Sequence, residues 1–247
     1  MRRFLFILLF LYTLFSQAQL LELDYWSPSK KESIFKVSLF KEFMLSANTL
    51  GHLDSSTEAI KIKYGSKKGI VFTFSVVGTQ SLITGNKNDK LNTLSHLLNP
   101  LGGRVNGSFF IGIPMKQKDK FSYRLAIRAG KKLIQAVPLK GLENNFLTNY
   151  GQLGGVYQNL IFEDALENES INLWIYPHMV FNQTNQKDLS TFFEEDLKSI
   201  AYGYGLQAGL EFNRKVKAIL LLNQFVNTNV PDPVGKAVLR FTVSYRF

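Results

Sequence analysis

The sequence predicts an all-β fold: a closed antiparallel up-and-down β-barrel of about ten strands, within about 8–12. Three observations predict it. Segment after segment alternates apolar and polar residues at period two, the spacing that puts each set of side chains on its own face of a strand. The connections between these segments alternate short and long, as tight turns at one end of a barrel and loops at the other would. The clearest alternation closes the chain, in residues 236–247 (KAVLRFTVSYRF). There Ala237, Leu239, Phe241, Val243, Tyr245 and Phe247 share one face, and Val238, Arg240, Thr242, Ser244 and Arg246 the other.

Residues 1–18 are set apart before the fold is read. Arg2 and Arg3 precede an apolar run over 4–11, extended through 15, and Ser16 and Ala18 supply the small residues of a cleavage site. This is the pattern of a secretory signal peptide, with the mature chain starting at Gln19. The run is shorter than the ~20 residues a membrane-spanning helix needs. There are no cysteines, which excludes disulfides and thiolate chemistry. The 18 glycines, 13% aromatic content and near-zero mean hydropathy suit β structure rather than a chain too polar to fold. The net charge is +10, and +8 without Arg2 and Arg3. Its basic residues are scattered along alternating strands, not clustered on one patch, so nucleic acid is not an expected partner. No shift in composition marks a linker. The expected organisation is a polar lead-in over 19–33, then a single domain over 34–247.

In order along the chain, residues 34–45 form the first strand, with Phe35, Val37 and Leu39 alternating against Lys36 and Ser38. Lys41 then falls on the apolar face, so a bulge or a strand end near Phe40 is expected; the i, i+4 spacing of Phe35, Leu39 and Phe43 makes a helix the competing reading. Residues 47–57 read as a loop. Ile60, Ile62 and Tyr64 oppose Lys61 and Lys63 in the next strand, and a tight connection over 65–69 leads to Ile70, Phe72, Phe74 and Val76. Residues 81–102 form a long connection, inside which Leu91, Leu94, Leu97 and Leu98 mark a short amphipathic helix over 88–98. A hairpin follows, from Val105 to Ile113 and back from Phe121 to Ala129, with Arg124 and Arg128 on its polar face. After a connection over 131–147, strands at 148–162 and 170–182 are joined by the acidic turn 163–169. Residues 183–198 make a loop with a helix that Ser190 or Thr191 caps ahead of Glu194 and Glu195. Strands at 200–212 and 216–226 turn at 213–215, and a loop over 227–235 leads to the closing strand.

The last strand, with Phe247 ending the chain and Phe241, Val243 and Tyr245 alternating before it, resembles the terminal strand of bacterial outer-membrane β-barrel proteins. The resemblance implies a transmembrane barrel with long external loops and short periplasmic turns, and a periplasmic lead-in over 19–33. It also implies localisation in the outer membrane of a Gram-negative bacterium, and a C-terminal signal (Phe241, Val243, Tyr245, Phe247) read by the barrel assembly machinery. Membrane lipids and lipopolysaccharide are then the expected surroundings. Strands of about the ~9–11 residues that cross a bilayer at a tilt agree with this. A lipocalin-like soluble barrel is the alternative, and its uniformly short strands and loops fit less well.

With the apolar face outward, Phe72, Phe74, Phe109, Ile111, Leu125, Leu206, Leu210, Phe241 and Val243 meet lipid, and Tyr64, Phe121, Phe162, Tyr202, Phe212, Tyr245 and Phe247 form interfacial girdles. The lumen is then lined by Lys61, Lys63, Arg104, Arg124, Arg128, Asn172, His178, Gln207, Glu211, Arg240 and Arg246. Ten strands lie near the size whose interior side chains can fill. Two accounts of the basic lining stand. One is a packed network satisfied by Glu211, Glu42 and backbone carbonyls. The other is a narrow path in which Arg and Lys favour anions. No metal-ligand spacing joins His52, His96 and His178, no phosphate-binding glycine loop occurs, and no cofactor is implied. His52 lies beside Asp54, Ser55 and Ser56, but the His and Ser two apart on one strand face that barrel lipases and deacylases share is not read there.

Three functional readings follow. The leading one is a non-enzymatic barrel acting as a narrow porin-like, anion-preferring channel. The second is a structural or interaction barrel whose external loops bind a partner, glycan or lipopolysaccharide. A barrel lipase or protease is the third. The sequence assigns no catalytic residue, and it does not fix the oligomeric state.

Overall fold

A computed structural model describes residues 33–48, 51–82, 97, 103–118, 120–135, 145–164, 169–193, 198–213, 216–226 and 237–246. The signal-peptide reading of 1–18, the lead-in before Ser33, most of the helix expected over 88–98, and Phe247 lie outside the described residues. Ten strands are present: β1 (Ile34–Asn48), β2 (Gly51–Gly65), β3 (Val71–Leu82), β4 (Val105–Gln117), β5 (Phe121–Gln135), β6 (Asn145–Asp164), β7 (Glu169–Thr184), β8 (Ile200–Phe212), β9 (Val216–Phe225) and β10 (Ala237–Arg246). Each pairs antiparallel with the next in sequence, and β1 also pairs with β10, Glu42 opposite Arg246 through Asn48 opposite Arg240. The sheet therefore closes on itself. Closure satisfies the backbone groups that an edge strand would leave open.

Side-chain alternation divides the sheet into two faces of opposite character. Along β8, the exposed Ile200, Tyr202, Tyr204, Leu206, Leu210 and Phe212 alternate with the buried Ala201, Gln207 and Glu211. Along β5, Tyr123, Leu125 and Ile127 are exposed, whereas Ser122, Arg124, Arg128 and Lys132 are buried. The exposed face is apolar and the enclosed face is polar, the reverse of a water-soluble barrel.

The strands are longer than their apolar stretches. Residues 51–57, expected as a loop, extend β2, and 47–48 extend β1, leaving only 49–50 between the two strands. The ladder continues past the end of the alternating hydrophobics because backbone pairing does not require an apolar face. For the same reason β5 runs on to Gln135 and β6 begins at Asn145, shortening the connection expected over 131–147. The first of the long connections is thus corrected to a tight one. The rest keep the expected rhythm: 83–104, 136–144, 185–199 and 226–236 lie at one end (the loop end), and 66–70, 118–120, 165–168 and 213–215 at the other (the turn end).

Lys41 needs no bulge. Pairing of β1 with β2 is continuous from Ile34 opposite Gly65 to Asn48 opposite Gly51. Lys41 stays on the outer face, where its Nζ lies 3.6 Å from Glu58 Oε1 of the facing strand. The bulges fall elsewhere: the register shifts between Pro114 and Lys116 and between Leu160 and Phe162. Met115 and Ile161 are left over, and both are exposed. Mid-strand Pro177 has no N–H to give to β6, and the β6–β7 pairing passes from Gly154 opposite His178 directly to Tyr157 opposite Ile175.

One helix, α1 (Gln186–Phe193), interrupts the β7–β8 connection. Its cap is Asn185, whose Oδ1 accepts from Lys187 N at 3.0 Å while its carbonyl accepts from Leu189 N. Ser190 and Thr191, expected as caps, lie inside the helix, and their hydroxyls donate back to the carbonyls of Gln186 and Lys187. Leu189, Phe192 and Phe193 of α1 are buried with Ile134 of β5, Phe146 of β6, Val180 of β7, Ala201 of β8 and Phe225 of β9. These strand residues all lie near the loop end. The helix thus seats an apolar plug in that mouth of the barrel, with Phe192 edge-on to Phe146 at 5.3 Å. Leu97, the one described residue of the helix expected over 88–98, is helical and joins the same cluster.

Candidate functional site

With an apolar outer face, chemistry has to be sought in the enclosed polar one. Below the plug, the interior is filled by large side chains. Trp174 and Tyr176 of β7, Lys132 of β5, Lys217 and Asn223 of β9 are each 0% exposed, and Gln158 and Gln207 1%. A lumen holding bulk water would leave such groups accessible.

Glycines on the facing strand make room for this filling. A Cβ at Gly209 of β8 would overlap the indole of Trp174, and one at Gly205 would overlap the Asn223 amide and lie 2.7 Å from His178 Nε2. The small inward residues therefore serve packing here.

Polar groups are joined across the strands. Tyr176 and His178, two residues apart on the inner face of β7, stack with ring centroids 4.6 Å apart. His178 Nδ1 lies 2.9 Å from the Tyr176 carbonyl oxygen, which requires Nδ1–H as donor, and its Nε2 lies 3.2 Å from the Asn223 side-chain amide. Arg124 Nη1 donates to Gln158 Oε1 at 3.0 Å. Tyr150 O–H donates to Asn106 Oδ1 at 2.7 Å, and Thr148 and Thr184 share a hydroxyl bond of 2.8 Å. Lys132 Nζ donates to the Leu97 carbonyl at 2.7 Å and lies 5.6 Å from the centre of the Tyr150 ring. That contact ties the β5 wall to the plug.

Arg128 is held differently. Its guanidinium sits 5.7 Å from the centre of the Phe110 ring, and it is within Coulombic reach of Tyr150, Tyr176 and His178. Its Nε and Nη1 have no hydrogen-bond partner among the described residues. The same holds for the Tyr176 hydroxyl, Trp174 Nε1, Gln152 Oε1 and Asn223 Nδ2.

Of the residues expected to line the lumen, Lys61, Arg124, Arg128, His178, Gln207 and Glu211 have buried side chains on the enclosed face. Lys63 is half-buried near the turn end. Arg104 is corrected: it precedes β4, its backbone N–H donates to the Leu133 carbonyl, and its side chain is exposed at the loop end. The side chains of Arg240 and Arg246 lie outside those described; in the β10 ladders Arg240 is opposite Leu221 of β9 and Arg246 opposite Glu42 of β1. Two interior cations are additional. Lys132 belonged to an expected connection, and Lys217 follows a turn; period-two counting onward from Arg128 and back from Asn223 finds both. Glu211 lies opposite Lys217 across β8 and β9, and both are buried.

The cluster His52, Asp54, Ser55 and Ser56 lies in β2 rather than a loop. The side chains of 51–57 lie outside those described. Among the described residues no group of three or more His, Cys, Asp or Glu side chains gathers as a metal site, and no helix is long and apolar enough to cross a membrane.

No family model matches the chain, and no curated protein does. Among solved structures, the low-pH structure of Pseudomonas putida OprB aligns over 88% of this chain and 93% of that one, at 8% identity and a TM-score of 0.18. A score of that size establishes no common fold. The strand pairing described above defines the class: an all-β, antiparallel, up-and-down barrel.

Proposed function

We propose that this chain is an integral β-barrel of a Gram-negative outer membrane, of the structural or interaction kind, with a lumen filled by its own side chains. One observation carries the membrane reading: large apolar residues cover the outer face of every strand, from Phe35 and Ile60 round to Leu220 and Phe241, while the polar residues are enclosed. Soluble monomers rarely expose contiguous apolar patches beyond a few hundred Å². Even strand number, termini at the turn end and closure agree with the rules for such barrels. Tyr64, Phe72 and Phe109 form an outer row with ring spacings of 6.2 and 6.3 Å, and the Lys116 and Lys118 ammonium groups reach over Phe121 at 5.9 and 5.8 Å. Both features suit an interfacial girdle near the turn end.

In this reading residues 1–18 direct export, and Phe241, Val243, Tyr245 and Phe247 are read by the assembly machinery. Lipid and lipopolysaccharide surround the belt, and partners meet the loop end. The apolar plug and the inaccessible interior favour an interaction barrel over a conducting one.

A narrow anion-preferring channel is the second reading, favoured by the buried excess of Lys and Arg over Glu. Planar-bilayer recording on the refolded full chain separates the two. A silent bilayer with folded, protease-resistant protein is the expected result; reproducible anion-selective steps would make it a channel. Refolding that succeeds in buffer without detergent or lipid would overturn the membrane reading itself.

A further inference from the structure

Two connections that are separate in sequence bring their lysines together at the turn end. Lys67 and Lys68 lie in 66–70, Lys116 and Lys118 at and just past the end of β4, and Lys120 just before β5; all five are exposed. Both turns are ordered. Ser66 N–H donates to the Ile70 carbonyl at 2.8 Å and Gly69 N–H to the Ser66 carbonyl at 2.9 Å, while Lys118 N–H donates to the Phe121 carbonyl at 2.9 Å. They also lie side by side. A Cβ on Gly69, whose φ is +80°, would lie 2.6 Å from Gln117 Oε1 and 3.4 Å from Pro114 Cγ, so the first turn rests on the end of β4.

Two of the five ammonium groups are gathered over one ring. Lys116 Nζ lies 5.9 Å and Lys118 Nζ 5.8 Å from the centre of Phe121, which stacks on the outward Tyr157 at 6.1 Å. Lys116 is opposite the exposed Tyr123 in the β4–β5 register, which places it on the outer face. Neither lysine pairs with a carboxylate among the described residues. Like charges gathered this way repel, and a negative group between them would relieve the repulsion.

We infer that this patch binds the phosphate of an anionic glycerophospholipid in the leaflet at the turn end, with Lys116 and Lys118 at its centre. The inference rests on the membrane reading proposed above. Lysine stems run along apolar surface and lift their ammonium groups to the headgroup level, the same level that aromatic rings mark. The phosphate sits at the two ammonium groups, and the apolar part of the lipid lies against Phe121 and Tyr157. Lys67, Lys68 and Lys120 add attraction at longer range. A soluble acidic polymer would meet the same charge but would gain nothing from rings on the bilayer face.

The test is native mass spectrometry of the full chain refolded in a neutral detergent, titrated with phosphatidylglycerol and with phosphatidylcholine of the same acyl chains. Folded wild type is expected to bind phosphatidylglycerol more tightly. Lys116→Gln with Lys118→Gln should reduce that preference by about fivefold for each lysine removed, the scale of one basic residue at an anionic surface. Lys116→Arg with Lys118→Arg should keep it, and so should Lys131→Gln, which removes an exposed lysine of β5 near the loop end. No preference in the folded wild type overturns the inference. An equal loss in Lys131→Gln does so too, because net charge alone would then account for binding. Displacement of phosphatidylglycerol by equimolar soluble polyglutamate overturns it in favour of an acidic partner off the membrane. All these results are read on folded protein in detergent and leave the membrane reading standing; that reading fails separately, if the chain refolds in buffer without detergent or lipid.

Discussion

At Gly209 the absence of a side chain determines where the largest interior group can lie. A methyl there would overlap the Trp174 indole, and Trp174 is wholly buried against β8, its register partner being Gly209 itself. Gly209→Ala is therefore an overpacking change, expected to cost about 1–3 kcal/mol in urea unfolding from detergent or vesicles. Trp174→Phe in the same chain should recover part of that loss, because the smaller ring vacates the space. A double-mutant cycle reads the coupling directly, and additive effects would mean that the indole lies elsewhere. The same logic runs through Gly205, His178 and Asn223. These contacts join residues with no sequence proximity, so the pattern of inward glycines was legible but what they accommodate was not.

The helix α1 is the element that turns a tube into a closed vessel. Its cap and its buried face make separate, measurable contributions. Asn185→Ala removes the acceptor for Lys187 N and should cost about 1 kcal/mol. Phe192→Ala empties a place beside Phe146 and should cost about 3–5 kcal/mol if the site does not collapse. Hydrogen exchange is the suitable readout: faster exchange confined to α1 and the loop ends of β5–β9 is expected, with the turn end unchanged. Strands with a clean period-two pattern, β4, β5, β8 and β10, were legible because one face is uniformly apolar. The stretch 51–57 was not, since HLDSST has no apolar face to announce it and joins the sheet through backbone pairing alone. The cap was missed for a related reason. Three polar residues near one turn can each accept a backbone N–H, and only the start of the helix decides which one does.

For the molecule as a whole, the central question is what solvent surrounds it, and a charge on the outer face answers that. Leu206 lies near the middle of β8, on the apolar exterior. Leu206→Arg should cost about 2–4 kcal/mol in lipid vesicles, the scale for a cation near the bilayer midplane. In water the same change would be close to neutral, so a vesicle measurement near zero would count against the membrane reading. The apolar outer face was legible from the alternation along the strands. The closed interior was not, because periodicity says which residues face inward but nothing of how far they reach toward one another.

The ion pair of Lys41 and Glu58 sits on that same exterior, and it sets a depth. On β2 the outer apolar residues are Ile60, Ile62 and Tyr64, after which Glu58 faces out. At the usual strand tilt Ile60 to Tyr64 rise only ~10 Å, whereas an apolar band of ~25 Å is the norm for outer-membrane barrels. On β8 the apolar face runs the full length from Ile200 to Phe212. The outer face is thus interrupted by charge at Lys41 and Glu58 on β1 and β2 and apolar along the whole of β8, so a bilayer around this barrel would meet it unevenly. Lipid headgroups would dip toward Lys41 and Glu58, or the barrel axis would lean to lower the short side. Refolding should accordingly be faster and more complete in short-chain than in long-chain phosphatidylcholine vesicles, and Lys41→Leu with Glu58→Leu should flatten that dependence.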